Sequence, residues 1–457
     1  MGEKLFIIGL DCAPPELVFD QFDLPNIQGL MDGAYGELTS TIPPITCPAW
    51  MSMVTGKNPG KLGFYGFRNR KNFSYTDMWI ANSSAVKTDT LWDTLSREQK
   101  RVSVIGVPQT YPPKPVNGIM VTSFLTPDTE HQYTYPDALK SEIRSLVGEY
   151  ILDVEEFRTE DKAHLLSQIY EMTEKRCKVV KHFLQKKWDF FMWVEMGPDR
   201  IHHGLWKYFD PTHRKYTESE FNSAIPDYYA YLDDQIGEML SSLDEDTIVM
   251  VVSDHGAKRM EGCININDWL IQEGYLHLKE QPSRITKFKD ASIDWKKTAA
   301  WAWGGYYSRV FFNVQEREQE GILTREEYLD VREEVRKKLE SMKDDRGTPL
   351  GTKVFRPEDV YSGPYVSEAP DLIVYFGDLY WRGTESIGHD SLYSFETEIG
   401  PDDCVHAQEG IFILKDPQER VTGKQTGLNI VDCAPTVLDL LGLPRVPDMD
   451  GKSIVKK

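Results

Sequence analysis

The sequence predicts an α/β protein built on a mainly parallel central sheet with helices packed on its faces. Short, almost continuously apolar runs recur along the chain, as expected of strands that are buried on both faces of a parallel sheet. Amphipathic segments with helical spacing lie between these runs. Such alternation of strands and helices is typical of doubly wound folds.

Six segments show the strand pattern, and several of them end in polar residues. They cover residues 4–11, 101–108, 188–196, 246–256, 371–377 and 410–415. Ligands of open α/β sheets bind at the carboxyl ends of the strands. The polar residues that follow these runs are therefore the first candidates for a functional site.

Five segments show the helical pattern. They cover residues 137–150, 162–187, 224–243, 324–344 and 429–444. None of the apolar stretches approaches the roughly 20 residues that a membrane-spanning helix needs. We therefore expect no membrane span.

Residues 265–365 differ from the rest of the chain. They are richer in charge and contain the aromatic and glycine cluster WAWGGYYSRVFFNV at 301–314. A chain of 457 residues is within the size of one large domain with an insertion. We predict an α/β core formed by 1–264 and 366–457, with an inserted cap or substrate region at 265–365.

The charge and the cysteines restrict the function classes. With 52 Lys and Arg against 72 Asp and Glu, the net charge is −20, which disfavours a nucleic acid polymer as partner. A small anionic substrate is compatible with this charge if the site itself is cationic. The six cysteines form no CxxC pair, and the first residues lack a signal-peptide pattern, so a soluble cytoplasmic protein is expected.

Four polar residues with metal-binding chemistry follow strand-like runs: Asp11, Asp199, Asp254 and His255. His203 lies four positions after Asp199, so the two side chains share one face if this stretch is helical. Either pattern alone is weak, since DxxxH is also a common surface pair and Asp-His after a strand is also a common capped turn. Only their combination would specify a metal site.

Thr46 begins a segment rich in Pro and Gly, TCPAWMSMVTGKNPGKLG at 46–63. Its hydroxyl has two interpretations that the sequence leaves open. It could cap a helix that starts at PAWMSMVTG. It could instead be a nucleophile at a helix N-terminus, activated by a neighbouring metal ion.

Taken together, six segments in this order resemble the alkaline phosphatase superfamily, and within it the type I phosphodiesterase/nucleotide pyrophosphatase family. The segments are LDCAPPE (10–16), TCPAWMSMVTGKNPGKLG (46–63), PDRIHH (198–203), SDHG (253–256), HAQEGIFIL (406–414) and IVDCAPTVLDLLGLP (430–444). The resemblance covers most of the chain outside 265–365 and implies an alkaline-phosphatase-like core.

The resemblance also implies two divalent metal ions, with zinc as the first choice and manganese or iron as alternatives. It assigns the first ion to Asp199, His203 and His406, and the second to Asp11, Asp254, His255 and the oxygen of Thr46. His389 is the rival of His406, which we prefer because EGIFIL follows it almost directly.

The implied function is a two-metal phosphoric ester hydrolase, a phosphodiesterase or nucleotide pyrophosphatase that forms a phospho-threonine on Thr46 and acts on a small phosphate ester. A phosphomonoesterase or phosphonate hydrolase of the same superfamily is the alternative. A non-catalytic protein that binds metal or phosphate ranks lower, because all seven expected ligand positions are filled.

One position departs from the family. The nucleotide pyrophosphatases hold a phosphate oxygen with an Asn where this chain has Phe67. The next residue, Arg68, is our candidate for a replacement donor, with Lys57, Lys61 and Lys258 as alternatives. The preference between diester and monoester is left open.

Overall fold

A large, mostly parallel sheet forms the centre of the computed structural model, which describes residues 3–455. The strands, numbered in chain order, are β1 (Leu5–Leu10), β2 (Ala34–Thr39), β3 (Arg68–Arg70), β4 (Met78–Ile80), β5 (Val102–Ile105), β6 (Gly118–Val121), β7 (Thr134–Tyr135), β8 (Phe190–Glu195), β9 (Ile248–Val252), β10 (Gly256–Arg259), β11 (Gly262–Ile264), β12 (Ala300–Trp303), β13 (Ser308–Phe312), β14 (Lys353–Phe355), β15 (Leu372–Tyr375), β16 (Trp381–Gly383), β17 (Tyr393–Ser394), β18 (Cys404–Ala407), β19 (Glu409–Lys415), β20 (Gly423–Lys424) and β21 (Leu428–Asn429).

The helices follow the same chain order. They are α1 (Pro25–Gln28), α2 (Thr46–Thr55), α3 (Pro59–Leu62), α4 (Leu91–Arg97), α5 (Leu139–Val147), α6 (Lys162–Leu184), α7 (Gly197–Phe209), α8 (Ala224–Leu240), α9 (Ile266–Gln272), α10 (Arg325–Glu340), α11 (Pro357–Val360) and α12 (Cys433–Leu440). Short 3₁₀ or π turns lie at Glu16–Gln21, Gly29–Asp32, Ser83–Ala85, Phe288–Asp290, Val366–Glu368 and Ile430–Asp432.

Within residues 3–455, ten strands form the central sheet in the order β20, β2, β19, β9, β1, β8, β5, β6 and β7, with β21 also paired to β2. β1 lies parallel to β8 on one side and to β9 on the other, and β5 lies parallel to β8 and β6. All six residues of β1 are buried, and so are those of β8, as expected of strands covered on both faces. Helices α5 to α8 pack against one another, and α2 packs against α12. The predicted fold class is confirmed.

Two of the predicted apolar runs form strands whose neighbours are antiparallel. β19 is antiparallel to both β2 and β9, and β15 joins a separate antiparallel sheet of order β12, β13, β15, β14. A run of apolar residues reports burial on both faces, but it contains no signal for the direction or the identity of the neighbouring strand. The sequence therefore predicted that these strands exist, but not which strands they pair with or in which direction.

The smaller sheet has a hydrophobic core of its own. Trp301, Trp303 and Phe312 from β12 and β13 pack there with Leu372 and Val374 from β15. Helix α10 contacts β14 and β15. The division into a core and a cap at residues 265–365 stays a prediction. Across residues 3–455, the helices are all too short or too polar to cross a bilayer.

Candidate metal centre

The candidate ligands meet because three adjacent parallel strands end at the same edge of the central sheet. Asp11 follows β1, Asp199 lies in the first turn of the helix that follows β8, and Asp254 comes two residues after β9. The flanking pair β10 and β18 completes the group, because it sets His406 opposite Ala257, two residues beyond His255. Register, rather than proximity in sequence, therefore gathers residues from both ends of the chain.

The first cluster consists of Asp199, His203 and His406. Asp199 and His203 lie on one face of α7, and Asp199 Oδ1 is 3.3 Å from His203 Nε2. The same Oδ1 is 3.9 Å from His406 Nε2. The helical interpretation of the DxxxH pair is thus correct, and the three ligand atoms face one another.

The second cluster consists of Asp11, Asp254 and His255, with Thr46 beside it. His255 Nε2 lies 3.1 Å from Asp254 Oδ2 and 4.0 Å from Asp11 Oδ1. Thr46 is the first residue of α2, where Ile45 is the capping residue and no side chain caps the helix. The Thr46 Oγ1 atom is instead 3.5 Å from His255 Nε2, so the hydroxyl faces the cluster.

The two clusters adjoin through their imidazole rings. The rings of His255 and His406 stack with centroids 3.8 Å apart, and Tyr306 stacks on His406 at 4.0 Å. All seven predicted residues are buried: their exposed fractions range from 0 to 3%. The sequence-predicted set is therefore gathered into one buried group.

Several ligand atoms in this group are orphaned. Among the described residues, Asp11 Oδ1, Asp254 Oδ2, His203 Nε2 and His406 Nε2 are buried and make no hydrogen bond. Leaving buried polar atoms unpaired costs about 1–3 kcal/mol each. Carboxylate and imidazole atoms of the type that bind zinc, manganese or iron thus converge on one another, and the residues fit divalent cations.

On the side that faces away from the cluster, several candidate ligands contact other protein groups. His203 Nδ1 lies 2.7 Å from Asp402 Oδ1, and His406 Nδ1 lies 2.8 Å from the carbonyl oxygen of Pro44. Trp50 Nε1 donates to Asp11 Oδ2 at 2.7 Å. Such contacts leave each Nε2 as the free ligand atom and fix the orientation of each ring. Asp402 and Trp50 were not predicted from the sequence, because no local pattern marks them.

Cys12 also reaches the first cluster. Its Sγ lies within 4.8 Å of ligand atoms of Asp199, His203 and His406. Its backbone N–H donates to Asp254 Oδ1 at 3.1 Å, and its φ of 66° is in the left-handed region that residues other than glycine rarely adopt. The sequence analysis did not select Cys12, although its position directly after Asp11 was a signal.

The electrostatics show a site that requires positive charge. Burial, and next the charges of Asp254 and Asp199, raise the pKa of Asp11 well above its usual range. Burial disfavours the protonated form of His255, but the negative charge of Asp254 outweighs burial and raises the pKa of His255 to about 9. Burial, followed by the charge of His255, lowers the pKa of His406. Buried carboxylates thus need protons, on themselves or on neighbouring imidazoles, or bound cations.

A cavity of about 400 Å³ opens beside the ligands. Thr46, Asp199 and His406 line it, together with Phe67 and Arg68. The three alternative lysines are not among its lining residues: Lys57 and Lys61 pair with Asp448, and Lys258 donates to the carbonyl oxygen of Asp378.

Two histidines outside the candidate ligand set, His202 and His389, have other surroundings. His202 turns away from the ligands and stacks on Tyr229 with centroids 5.6 Å apart. His389 Nε2 lies 2.8 Å from the hydroxyl of Ser386. Neither belongs to the ligand groups found among residues 3–455.

The fold is a mixed α/β architecture, and the site gathers buried carboxylate and imidazole side chains that suit divalent cations. Residues 5–402 match the family described as type I phosphodiesterase / nucleotide pyrophosphatase. This chain therefore belongs to that family and is an enzyme of the phosphodiesterase class. No curated protein matches the chain in sequence.

Solved structures show the same fold. Human ectonucleotide pyrophosphatase/phosphodiesterase 5 aligns over 98% of this chain and 97% of its own, with a TM-score of 0.56 and 13% identity. The murine protein aligns over 97% and 96%, with a TM-score of 0.58 and 11% identity. A structure of an inactive murine variant in complex with AMP aligns over 97% and 96%, with a TM-score of 0.56 and 11% identity.

Proposed function

We propose that this phosphodiesterase uses Thr46 as its nucleophile beside two divalent cations, with zinc as the first choice. Asp199, His203 and His406 would hold one cation, and Asp11, Asp254, His255 and Thr46 Oγ1 the other. The observation that carries the proposal is the Thr46 hydroxyl, which is not used to cap α2 and faces a cluster of orphaned ligand atoms. The inactive murine relative differs by replacement of a threonine with alanine, which agrees with a catalytic threonine.

The chemistry is divided between the cations and the chain. Bound cations would lower the pKa of the Thr46 hydroxyl and stabilise negative charge on the leaving oxygen. Oγ1 of Thr46 attacks phosphorus, the bond to the leaving alkoxide breaks, and that oxygen gains a proton. Water then cleaves the phosphoryl-threonine, releasing a phosphomonoester and restoring the hydroxyl. The N-terminus of α2 adds backbone N–H groups and a favourable dipole for the phosphoryl oxygens.

The substrate that fits best is a small phosphate ester. The cavity of about 400 Å³ has the size of a small-molecule site. Nucleotide diesters are the proposed class, in keeping with the AMP bound by the murine relative. Arg68 is a proposed donor to a phosphate oxygen, because it lines the cavity and its guanidinium makes no hydrogen bond or ion pair with another side chain among the described residues.

The test compares Thr46→Ala with Thr55→Ala, a matched change of a buried threonine in the same helix whose hydroxyl bonds to the carbonyl oxygen of Met51. We expect the first to abolish hydrolysis of bis-p-nitrophenyl phosphate and the second to retain it. Acid quenching of the unaltered enzyme should trap the phosphoryl group on Thr46, as mass spectrometry would detect. Turnover by Thr46→Ala would refute the nucleophile, and faster hydrolysis of p-nitrophenyl phosphate would favour the monoesterase alternative.

Elemental analysis tests the two cations. Two equivalents of bound metal are expected in the unaltered protein, and one in a His406→Ala or a His255→Ala variant. A single equivalent in all three proteins would contradict the two-site assignment.

A further inference from the structure

Five arginines line the cavity beside Thr46, and they differ in what holds them. They are Arg68, Arg158, Arg200, Arg309 and Arg382. A group that stabilises a phosphoryl oxygen must be fixed in place before the reaction and still have donors to offer. Burial and hydrogen-bond partners therefore decide which arginine can serve as a second, pre-positioned donor beside Arg68.

Two of the five arginines serve Asp402. Arg158 donates to it from Nε at 3.0 Å, and Arg382 donates to it from Nη1. Asp402 also contacts His203, a candidate metal ligand, so these two arginines act on the candidate metal centre through Asp402. Arg68 is exposed, and half-buried Arg309 donates to the backbone oxygen of Arg68 at 2.6 Å. Neither of these two makes a hydrogen bond or a close ion pair with a carboxylate within the described part of the chain, although the charges of both act on the carboxyl of Glu385.

Arg200 combines burial with a fixed orientation. Its side chain is 8% exposed and directly follows Asp199 on α7. Nε donates to Asp153 Oδ1 at 2.8 Å and Nη2 to Oδ2 at 2.7 Å, a bidentate pair. The guanidinium also lies over the rings of Phe157 and Phe124, at 4.6 and 5.3 Å from the ring centroids.

The same guanidinium touches the candidate metal centre and keeps spare donors. Its Nη1 donates to Asp199 Oδ2, while Asp199 Oδ1 faces His203 and His406. Arg has five N–H donors, and three are used here. The other two, one on each Nη, have no partner among residues 3–455. Arg200 and Thr46 line the same cavity.

We propose that Arg200 binds a non-bridging oxygen of the phosphoryl group that Thr46 attacks, and that its charge strengthens the binding of doubly charged phosphoryl groups over that of diester monoanions. This inference rests on the proposed function and deepens it. A fixed cation attracts a dianion more strongly than a monoanion, and charge-assisted bonds to phosphate are stronger than neutral ones. The site then binds orthophosphate and the monoester product, and both act as competitive inhibitors.

The test measures orthophosphate binding by isothermal titration calorimetry on the full, zinc-loaded chain. Arg200→Lys keeps a positive charge near Asp153 and Asp199 but loses the planar pair of spare donors. We expect it to weaken orthophosphate binding at least about tenfold, a loss typical of one charge-assisted hydrogen bond. Arg309→Lys is the matched control in the same cavity and should change the affinity less than about twofold. The zinc content should be equal in all three proteins.

Repeating the titration in a Thr46→Ala background separates this inference from the proposed function. If Arg200→Lys weakens orthophosphate binding there as well, the role of Arg200 stands whether or not Thr46 is the nucleophile. Unchanged affinity in a folded, zinc-loaded Arg200→Lys variant would overturn it. A second readout is the ratio of kcat/KM for p-nitrophenyl phosphate to that for its diester, which should fall in Arg200→Gln, a variant that removes the positive charge. A constant ratio would refute the preference for doubly charged groups.

Discussion

Asp402→Asn should weaken zinc binding although Asp402 is not one of the proposed ligands. Asp402 Oδ1 lies 2.7 Å from His203 Nδ1, and Oδ2 accepts from Arg158 and Arg382. The carboxylate is fully buried. Burial opposes its ionisation, but His203 followed by the arginines outweighs burial and holds the pKa of Asp402 well below its usual range. The substitution keeps the shape of the side chain and removes this charge.

The magnitude follows from these three contacts. A hydrogen bond with a charged partner contributes about 1.5–3 kcal/mol and a neutral one about 0.5–1.5 kcal/mol. An amide has only one acceptor oxygen, so the side chain in Asp402→Asn cannot accept from His203 and from the two arginines at once, and the lost contact costs about 1.5–3 kcal/mol. Weakening of the contact with His203 lowers the metal affinity of the first cluster, since loss of such a supporting group lowers metal affinity by about 10- to 100-fold. Weakening of the contacts with Arg158 and Arg382 reduces the free energy of unfolding.

A competition titration of zinc against a chromophoric chelator measures the first effect, and urea unfolding of the metal-free protein measures the second. Asp416→Asn is the control, since Asp416 is also a buried carboxylate and accepts from Arg420 at 2.7 and 3.0 Å. It directly follows β19, at the end opposite to the site. The control should lose stability without losing zinc affinity. Wild-type zinc affinity in a destabilised Asp402→Asn variant would refute the reasoning.

Two further predictions concern stability. Burial lowers the pKa of His213, whose Nδ1 accepts from the Lys215 N–H at 2.9 Å while Nε2 lies 3.0 Å from a carbonyl oxygen, so only the neutral ring satisfies both. Below pH about 6.5 the unfolded chain then binds more protons than the folded chain, so the free energy of unfolding decreases as pH falls, by up to about 1.4 kcal/mol per pH unit. Urea unfolding at several pH values should show a weaker pH dependence of this free energy for His213→Gln. An equal pH dependence in the two proteins would contradict this. In Gly9→Ala, the new Cβ would lie 2.5 Å from Trp50, so thermal unfolding should show a loss of about 1–3 kcal/mol. Gly29→Ala meets nothing within 4 Å and should cost far less; equal losses would show that packing is not the cause.

The sequence predicted the core strands because burial leaves a local record. The runs that became β1, β8 and β9 are apolar throughout, and their polar ends are where the ligands stand. Strand partners leave no such record, which is why the antiparallel direction of β19 and the transfer of β15 to the smaller sheet were not predicted. Pairing depends on contacts between residues that are distant in sequence, and these form only when the sheet assembles.

The same limit applies to the site. The ordered motifs selected seven residues that the structure gathers, and the structure shows that the hydroxyl of Thr46 does not cap α2. The groups behind them were not predicted, because Trp50 and Asp402 acquire their roles only through contacts with Asp11 and His203. Arg200 was overlooked for another reason. The sequence placed it next to Asp199, but only the structure shows that its guanidinium faces the cavity rather than solvent.

The net charge of −20 is compatible with an anionic substrate because charge acts locally. Salt screens exposed charges beyond about 8 Å at physiological ionic strength, so the acidic surface has little effect deep in the cavity. There the N-terminus of α2 and the guanidinium of Arg200 act at short range, in a setting where water screens little. Buried Asp11, Asp199 and Asp254 would repel a phosphate by themselves, so their charge has to be matched by cations before substrate enters. The acidic residues of the site thus suit metal binding, and under the proposed function the metal-loaded site together with Arg200 would favour the phosphate.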